Sequence, residues 1–378
     1  MLNNETNDNN TNTPFLGLFS YLNSISSKGS MSSKGCILAT GGAGYVGTHT
    51  VVELLNEGYD VVVMDNLANA TMEGLKRIEE ITGKRVPAYN VNLLDTEGLK
   101  NIFSENRITC VMHFAGFKAV GKSVDIPLQY YKNNIGGTVN LLEVMNEFKV
   151  YNMIFSSSAT VYGVPEKLPF VETDKTGGCT NPYGKTKFFI EEIMKDLYTA
   201  DQQWNIVMLR YFNPIGAHKS GRIGESPIGI PHNLMPYISK VAAGELEFLT
   251  VYGGDYETKD GTGVRDYTHV VDLAKGHVAA LKSVKNNCGL KIYNLGTGKA
   301  YSVLEMVKAF EKASGKTVKY KIAPRRAGDL PTFWSDVSLA KKELGWEAEK
   351  DLDEMCEDIW RWQCMNPGGY PSGQSKST

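Results

Sequence analysis

The chain has 378 residues, and its 40 Lys and Arg against 42 Asp and Glu leave a net charge of -2, so no global field favours nucleic acid or an anionic bilayer. Six cysteines, at 36, 110, 179, 288, 356 and 364, are scattered without a C-x-x-C pair, which argues against a metal centre or a disulfide framework and for a reducing, cytoplasmic setting. No apolar run approaches the roughly 18 residues that cross a bilayer, and the length suits two domains or one large sheet carrying a lobe.

Residues 1–33 differ from the rest. Met1–Thr13 is polar and Asn-rich, and Ser24–Lys34 is mostly Ser, Lys and Gly. Such composition buries too little apolar surface to offset ordering entropy, so a disordered extension is expected. Phe15–Leu22 has the pattern of a short amphipathic turn or two, without the Arg-rich composition of a transit peptide.

From Gly35 to Asn213, short β-branched runs alternate with longer helical stretches, which predicts a parallel α/β sheet. Strands are expected at Cys36–Ala39, Asp60–Met64, Val86–Val91, Cys110–Phe114, Asn152–Ser156 and Asn205–Tyr211. Tyr131, Ile135, Val139 and Leu142 recur at helical spacing, as do Phe188, Ile190, Met194 and Leu197. The expected fold is a doubly wound parallel Rossmann sheet, with ligands beyond the carboxyl ends of its strands. After Asn213 Gly and Pro become dense, predicting a smaller lobe rich in loops. Thr268–Val271 and Lys291–Leu295 look like strands that extend the sheet, and Ser302–Ala313 like a helix with a capping box between Ser302 and Glu305. The resulting division is a dinucleotide domain over 34–212 and a substrate lobe over 213–373, with about 266–300 free to rejoin the main sheet. The tail from Gly373 should fray.

Gly41-x-x-Gly44-x-x-Gly47 follows the first strand and opens the helix Val46–Asn56. Glycines there allow a tight turn and let a pyrophosphate reach backbone amides at a helix N-terminus. Asp65 ends the second strand, where a carboxylate accepts the adenosine ribose hydroxyls and repels a 2′-phosphate, so NAD rather than NADP is expected.

Asn181-Pro182 predicts a helix start that places Tyr183 and Lys187 one turn apart on one face, after Ser156-Ser-Ser-Ala-Thr160 at the end of a strand. A phenol needs a shift of ~3 units, or ~4 kcal/mol, to act as a base at neutral pH. One ammonium at ~4 Å supplies about that at an effective dielectric of 20, and burial opposes it. Oxidised nicotinamide would be the second cation. Ser158 is placed to hydrogen-bond the same substrate hydroxyl as Tyr183.

These residues resemble the UDP-glucose (UDP-galactose) 4-epimerase family of the extended short-chain dehydrogenase/reductase superfamily, from Lys34 to about Pro371. The matching segments are Thr40-Gly-Gly-Ala-Gly-Tyr-Val-Gly47, His113-Phe-Ala-Gly116, Lys118-Ala-Val-Gly121 and Phe155-Ser-Ser-Ser-Ala-Thr-Val-Tyr-Gly163. They continue with Pro182-Tyr-Gly-Lys185, Leu209-Arg-Tyr-Phe-Asn-Pro214, Asp260-Gly-Thr-Gly-Val-Arg-Asp-Tyr267, Tyr293-Asn-Leu-Gly296 and Pro324-Arg-Arg-Ala-Gly-Asp329.

The resemblance implies reversible epimerisation of a UDP-hexose at C4 in galactose metabolism, through a 4-keto sugar and a tightly bound NAD. It implies Tyr183, Lys187 and Ser158 as the catalytic set. It implies an NAD site of Gly41, Gly44, Tyr45, Val46, Gly47, Asp65, Asn66, Asn92, Leu93, Phe114, Ala115, Gly116, Lys118, Asn133 and Phe212, together with Ser158, Tyr183 and Lys187, the last able to hold the nicotinamide ribose. Asn213, Asn233, Leu234, Tyr252, Arg265, Arg326, Asp329 and Phe333 would line the UDP-sugar, with Lys118, Ser158 and Tyr183 at its reacting end. The arginines suit the chemistry, since a diphosphate asks for guanidinium forks.

Asn92 stands where the family often has an acid near the adenine. Phe333 occupies the family's size gate for the sugar C2 substituent, and a ring there should exclude an acetamido group. The resemblance also implies a homodimer through Lys132–Lys149 and Lys185–Tyr198. Two rivals stand beside it: a nucleotide-sugar 4,6-dehydratase or decarboxylase, which needs an acid where this chain has Ala159-Thr160, and a non-catalytic NAD-sensing module, which needs neither Tyr183 nor Lys187.

Overall fold

The computed structural model describes residues 34–371, apart from 228, 230, 232 and 327; the expected extension over 1–33 and the tail from Gly373 lie outside the described residues. The strands are β1 (Cys36–Thr40), β2 (Asp60–Met64), β3 (Ala88–Tyr89), β4 (Ile108–His113), β5 (Asn152–Ser158), β6 (Asn205–Tyr211) and β7 (Asn213–Ile215). Then come β8 (Leu249–Tyr252), β9 (Val264–His269), β10 (Leu290–Leu295), β11 (Ala300–Ser302), β12 (Tyr320–Ala323) and β13 (Thr332–Phe333). The first six helices are α1 (Tyr45–Asn56), α2 (Glu73–Thr82), α3 (Thr96–Glu105), α4 (Val120–Asp125), α5 (Pro127–Tyr130) and α6 (Gly137–Glu147). They are followed by α7 (Pro182–Ala200), α8 (Leu234–Ala242), α9 (Val270–Val284), α10 (Val303–Ser314), α11 (Ser338–Leu344) and α12 (Leu352–Met365).

The main sheet has seven parallel strands in the order β10-β6-β5-β4-β1-β2-β3. Alternate residues of its central strands feed two apolar layers. Leu54 and Val51 of α1, Ile78 of α2 and Leu281 of α9 cover one face. Leu99 and Ile102 of α3, Leu141 and Met145 of α6 and Ile190 of α7 cover the other. Each such fully buried side chain contributes about 1.5–3 kcal/mol of transfer free energy, and burial on both faces is what a parallel sheet requires.

Several expectations change in detail. The run Val86–Val91 yields only Ala88–Tyr89, because Pro87 has no N–H to give a ladder and offers only its carbonyl, to Val63 N at 2.9 Å. The strand expected at Thr268–Val271 is β9, which starts at Val264 and stops at His269; the His269 ring accepts from Val271 N at 3.0 Å and caps α9. It pairs with β7, β11 and β13 in a separate sheet. Leu290–Leu295 does extend the main sheet, pairing with β6 across the whole register. The helix signalled by Tyr131 and Ile135 opens with a π-turn over Tyr131–Gly136 before α6 begins. α10 has the capping box read from Ser302 and Glu305, and α7 starts at Pro182 with Asn181 accepting from Gly184 N at 2.9 Å.

The remaining elements form a layer of α8, α10 and α12 over the short sheets, packed through Met235, Ile238, Phe310 and Met355.

Candidate active site

The sheet order reverses between β1 and β4, and a crevice opens there at the carboxyl ends of both strands. Two chain segments cross in it. Phe114 N donates to Thr40 O at 2.9 Å, and Gly41 lies so close to the neighbouring loop that a Cβ would sit 2.6 Å from Ala115 N. Gly41 also has φ +69°, so no other residue fits without strain. A Cβ on Gly47 would meet Gly41 O at 2.6 Å, which lets α1 start directly against the turn. Gly44 caps α1 in extended backbone, and no side chain closes the first turn. Its amides suit an anion.

Asp65 at the tip of β2 is buried and accepts from Leu67 N at 2.9 Å and Ala43 N at 3.2 Å. Burial raises its pKa while those amides oppose the rise. Asn66 and Asn92 are exposed beyond it; Asn92 Oδ1 is engaged by Leu94 N at 2.9 Å. Leu93 is buried against Gly137. These residues fit the two ends of an adenosine diphosphate: a bare helix start for phosphate, a buried acceptor for ribose.

Tyr183 and Lys187 share α7 as expected, but their partners are more specific than the spacing suggested. Lys187 is buried, lies 4.7 Å over the Phe155 ring, and donates to Ser156 O at 2.5 Å rather than to the phenol. Desolvation pulls its pKa down to about 7, with the Glu191 carboxylate opposing. Tyr183 is half-buried, and desolvation pushes its phenol up to about 12, with a hydrogen bond to Ser158 pulling it back. Ser158 Oγ accepts from Thr160 N at 3.2 Å and Thr160 Oγ1 at 2.9 Å. With those lone pairs engaged, the Ser158 proton is left to donate towards Tyr183. Thr160 therefore orients Ser158, a role its spacing alone did not signal.

Beneath this layer a hydrogen-bond chain joins the strand ends. Thr138 Oγ1 donates to Asn134 O at 2.6 Å, so it accepts from His113 Nε2 at 2.8 Å; His113 Nδ1 then accepts from Thr40 Oγ1 at 2.7 Å. Burial holds His113 neutral, its pKa lowered to about 3. The π-turn presents Asn134, missed by the sequence reading, to both peptide groups of Phe117 (2.8 and 3.0 Å) and to Thr186 Oγ1 at 3.1 Å. Asn133, expected at the cofactor, donates to Asn134 at 2.9 Å. Phe114 packs on the His277 ring at 5.0 Å, and His277 hydrogen-bonds Tyr211.

On the opposite wall, Arg326 donates to Asp329 at 2.9 Å and lies 5.1 Å over the Tyr252 ring. Arg265, on β9, reaches the same carboxylate at 3.9 Å. Asn213 donates to Asp266 O at 2.8 Å, which fixes the link between β7 and β9. Phe333 packs with tilted rings against Phe170 (4.9 Å) and Phe212 (5.5 Å). Lys118 and Asn233 meet on a residue that no motif marked: Glu225 Oε1 accepts from both, at 3.0 and 2.9 Å. Val46, in the first turn of α1, packs against the core, Tyr45 donates to Gly216 O at 2.6 Å, Gly116 takes φ +155°, and Leu234 opens α8. Among the described residues no cluster of His, Cys, Asp or Glu could hold a metal ion.

A family model described as GDP-mannose 4,6 dehydratase matches residues 38–359. The UDP-glucose 4-epimerase of Bacillus subtilis (strain 168) is 61% identical over 338 residues, 89% of this chain and 99% of its own. That of Homo sapiens is 58% identical over 340 residues, 88% and 98% of the two chains. A crystal structure of UDP-glucose 4-epimerase from Bifidobacterium longum in complex with NAD+ and UDP superposes with a TM-score of 0.86 at 54% identity, covering 89% of this chain and 100% of that one.

Proposed function

This chain belongs to the UDP-glucose 4-epimerase family, and from that premise we propose how its own residues carry the reversible epimerisation of UDP-galactose and UDP-glucose at C4. The observation that carries the reading is one convergence. A bare helix start beside a buried Asp65, and a phenol bonded to a serine hydroxyl, lie at the carboxyl ends of β1, β2 and β5 in one parallel sheet.

Gly41, Gly44 and Gly47 would admit the pyrophosphate of NAD to the amides of α1, and Asp65 would take the adenosine ribose. When bound, NAD supplies reversible hydride exchange at C4. Tyr183 takes the proton from the sugar O4 and later returns it, while Ser158 donates to the same oxygen. Lys187 provides positive charge behind the phenol, and a bound oxidised nicotinamide would supply the rest of what desolvation withholds. Arg265, Arg326 and Asn213 hold the diphosphate, so the 4-keto sugar turns on a fixed tether and offers its other face. Binding energy far from C4 thereby serves the reacting carbon.

The turn after Ser158 carries Ala159 and Thr160, so no extra acid stands where a dehydratase or decarboxylase needs one. Phe333, backed by Phe170 and Phe212, would fill the space beside the sugar C2 and exclude an acetamido group.

A homodimer fits the surface. α4 and α5 pack beside α7 and leave Val120, Val124, Leu128 and Phe189 exposed, an apolar face that a second copy would cover. Sedimentation as a monomer at micromolar concentration would count against it. Six free cysteines suit a reducing cytoplasm, and among the described residues no helix is long and apolar enough to cross a membrane.

The test is direct. Purified protein given UDP-galactose without added NAD should form UDP-glucose; failure to do so even with NAD supplied would end the reading.

A further inference from the structure

One turn beyond Lys187 on α7 lies Glu191, fully buried and paired with the equally buried Arg210. Its Oε1 accepts from Ser157 Oγ at 2.5 Å and Arg210 Nε at 3.0 Å, and its Oε2 from Arg210 Nη2 at 2.7 Å. Ser157 and Arg210 are direct partners in the register of β5 and β6. Arg210 also donates to Glu172 O at 3.1 Å and lies 4.7 Å over the Tyr162 ring. The carboxylate is thus pinned to two strands between Ser156, which receives Lys187, and Ser158, which meets Tyr183.

Stability does not account for such a pair. Desolvating two charges costs about as much as their attraction returns, and well-packed apolar residues often replace them without loss. What the pair does have is position: Glu191 follows Lys187 at i,i+4 on α7, and its charge acts on the Lys187 ammonium.

We propose that Glu191 is a positioning residue for the reaction: held by Ser157 and Arg210, its carboxylate supplies the counter-charge for Lys187 and fixes α7 against the end of β5. This rests on Tyr183 and Lys187 being the reacting pair. The other groups around Lys187 offer no substitute. His113 from β4 is buried and neutral, Tyr211 from β6 and Tyr130 from α5 are phenols, and β5 contributes hydroxyls. Lys122 and Asp125 of α4 and Lys132 of the π-turn are exposed. Burial alone favours neutral Lys187, and Glu191 is the group that opposes it.

The test is Glu191→Gln in the NAD-loaded protein, read by NMR of 13C-labelled lysine with the Lys187 signal assigned by its loss in Lys187→Met. The Lys187 titration midpoint should fall by about one unit. In parallel the alkaline limb of the kcat–pH profile, where Lys187 loses its charge, should move to lower pH by a similar amount, with KM for UDP-galactose unchanged. Because Glu191→Gln leaves Arg210 unpaired, Glu191→Gln/Arg210→Gln is measured beside it, and shifts in the same direction but smaller, without the repulsion of a lone guanidinium, are expected. A folded variant with the Lys187 midpoint and the alkaline limb both unmoved overturns the proposal. So does failure of both variants to fold, which would assign the pair to the fold alone. If instead Tyr183→Phe retains full activity, the reading of the reacting pair fails, while the Lys187 midpoint still reports on Glu191.

Discussion

The Lys187 ammonium donates to the Ser156 carbonyl at 2.5 Å, on the floor of the site rather than at its phenol. Holding a cation there is costly. Its folded pKa of about 7 lies below the unfolded value of ~10.4. The unfolded chain therefore binds the proton first as pH falls, stability declines between about pH 10 and 7, and the penalty is full below pH 7. Lys187→Met should accordingly raise the stability of the protein at pH 7 by about 2 kcal/mol while abolishing turnover. The gain should shrink towards pH 10. Urea melts at the two pH values check it, and a less stable variant at pH 7 would refute it.

Tyr183→Phe should lower kcat by about 10²–10⁴-fold, the usual worth of a positioned acid–base group, with bound NAD retained. Ser158→Ala should act differently. The Ser158 hydrogen bond opposes the desolvation that lifts the Tyr183 phenol to about 12, so its loss raises that pKa and moves the acid limb of the rate profile to higher pH. The defect should be about 10-fold at neutral pH and narrow as the pH rises. A pH-independent loss would contradict this.

Gly41→Ala places a Cβ 2.6 Å from Ala115 N in left-handed backbone. Backbone cannot yield as a flexible side chain can, so a cost of about 2 kcal/mol or more is expected, with loss of co-purifying NAD. Thermal melting and the NAD content of the isolated protein measure both.

Phe333→Cys should open the site to UDP-N-acetylhexosamines, raising kcat/KM for them by about 10–100-fold, the range a change of pocket size can reach. Contacts with Phe170 and Phe212 are lost, so a modest fall in melting temperature should accompany it. Unchanged discrimination would place the gate elsewhere.

Arg326 is more exposed than Arg265 and holds Asp329 and the face of Tyr252. Removing uniform binding raises KM and leaves kcat alone. Arg326→Ala should therefore raise KM for UDP-galactose by about 10-fold, and a fall in kcat alone would argue against a tethering role.

The parts of this site readable in the sequence are the local ones. A glycine turn after a strand, an acid at the next strand tip, and a phenol and an ammonium at i,i+4 need only the chain's immediate geometry. Glu191 gave no such signal, because its meaning comes from Ser157 and Arg210, brought together by the order of β5 and β6. Glu225 likewise matters only because Lys118, 107 residues away, folds back onto it. Asn134 was hidden by the π-turn, since the spacing of Tyr131, Ile135 and Val139 reads as an ordinary helix while the inserted residue turns the amide inward. The misplacement of β9 had a simpler origin: Val270 and Val271 look β-branched and extended, yet the His269 ring caps a helix that they begin.

The sheet that seats the nucleotide is finished by a strand synthesised long after its neighbours. Until Leu290–Leu295 has left the ribosome, β6 keeps a bare margin, and α1 lacks the cover that α9 will bring. A nascent chain halted between those points would present an adhesive edge to other polypeptides, so chaperone demand during translation should peak there, and a fragment cut at residue 212 should aggregate rather than fold.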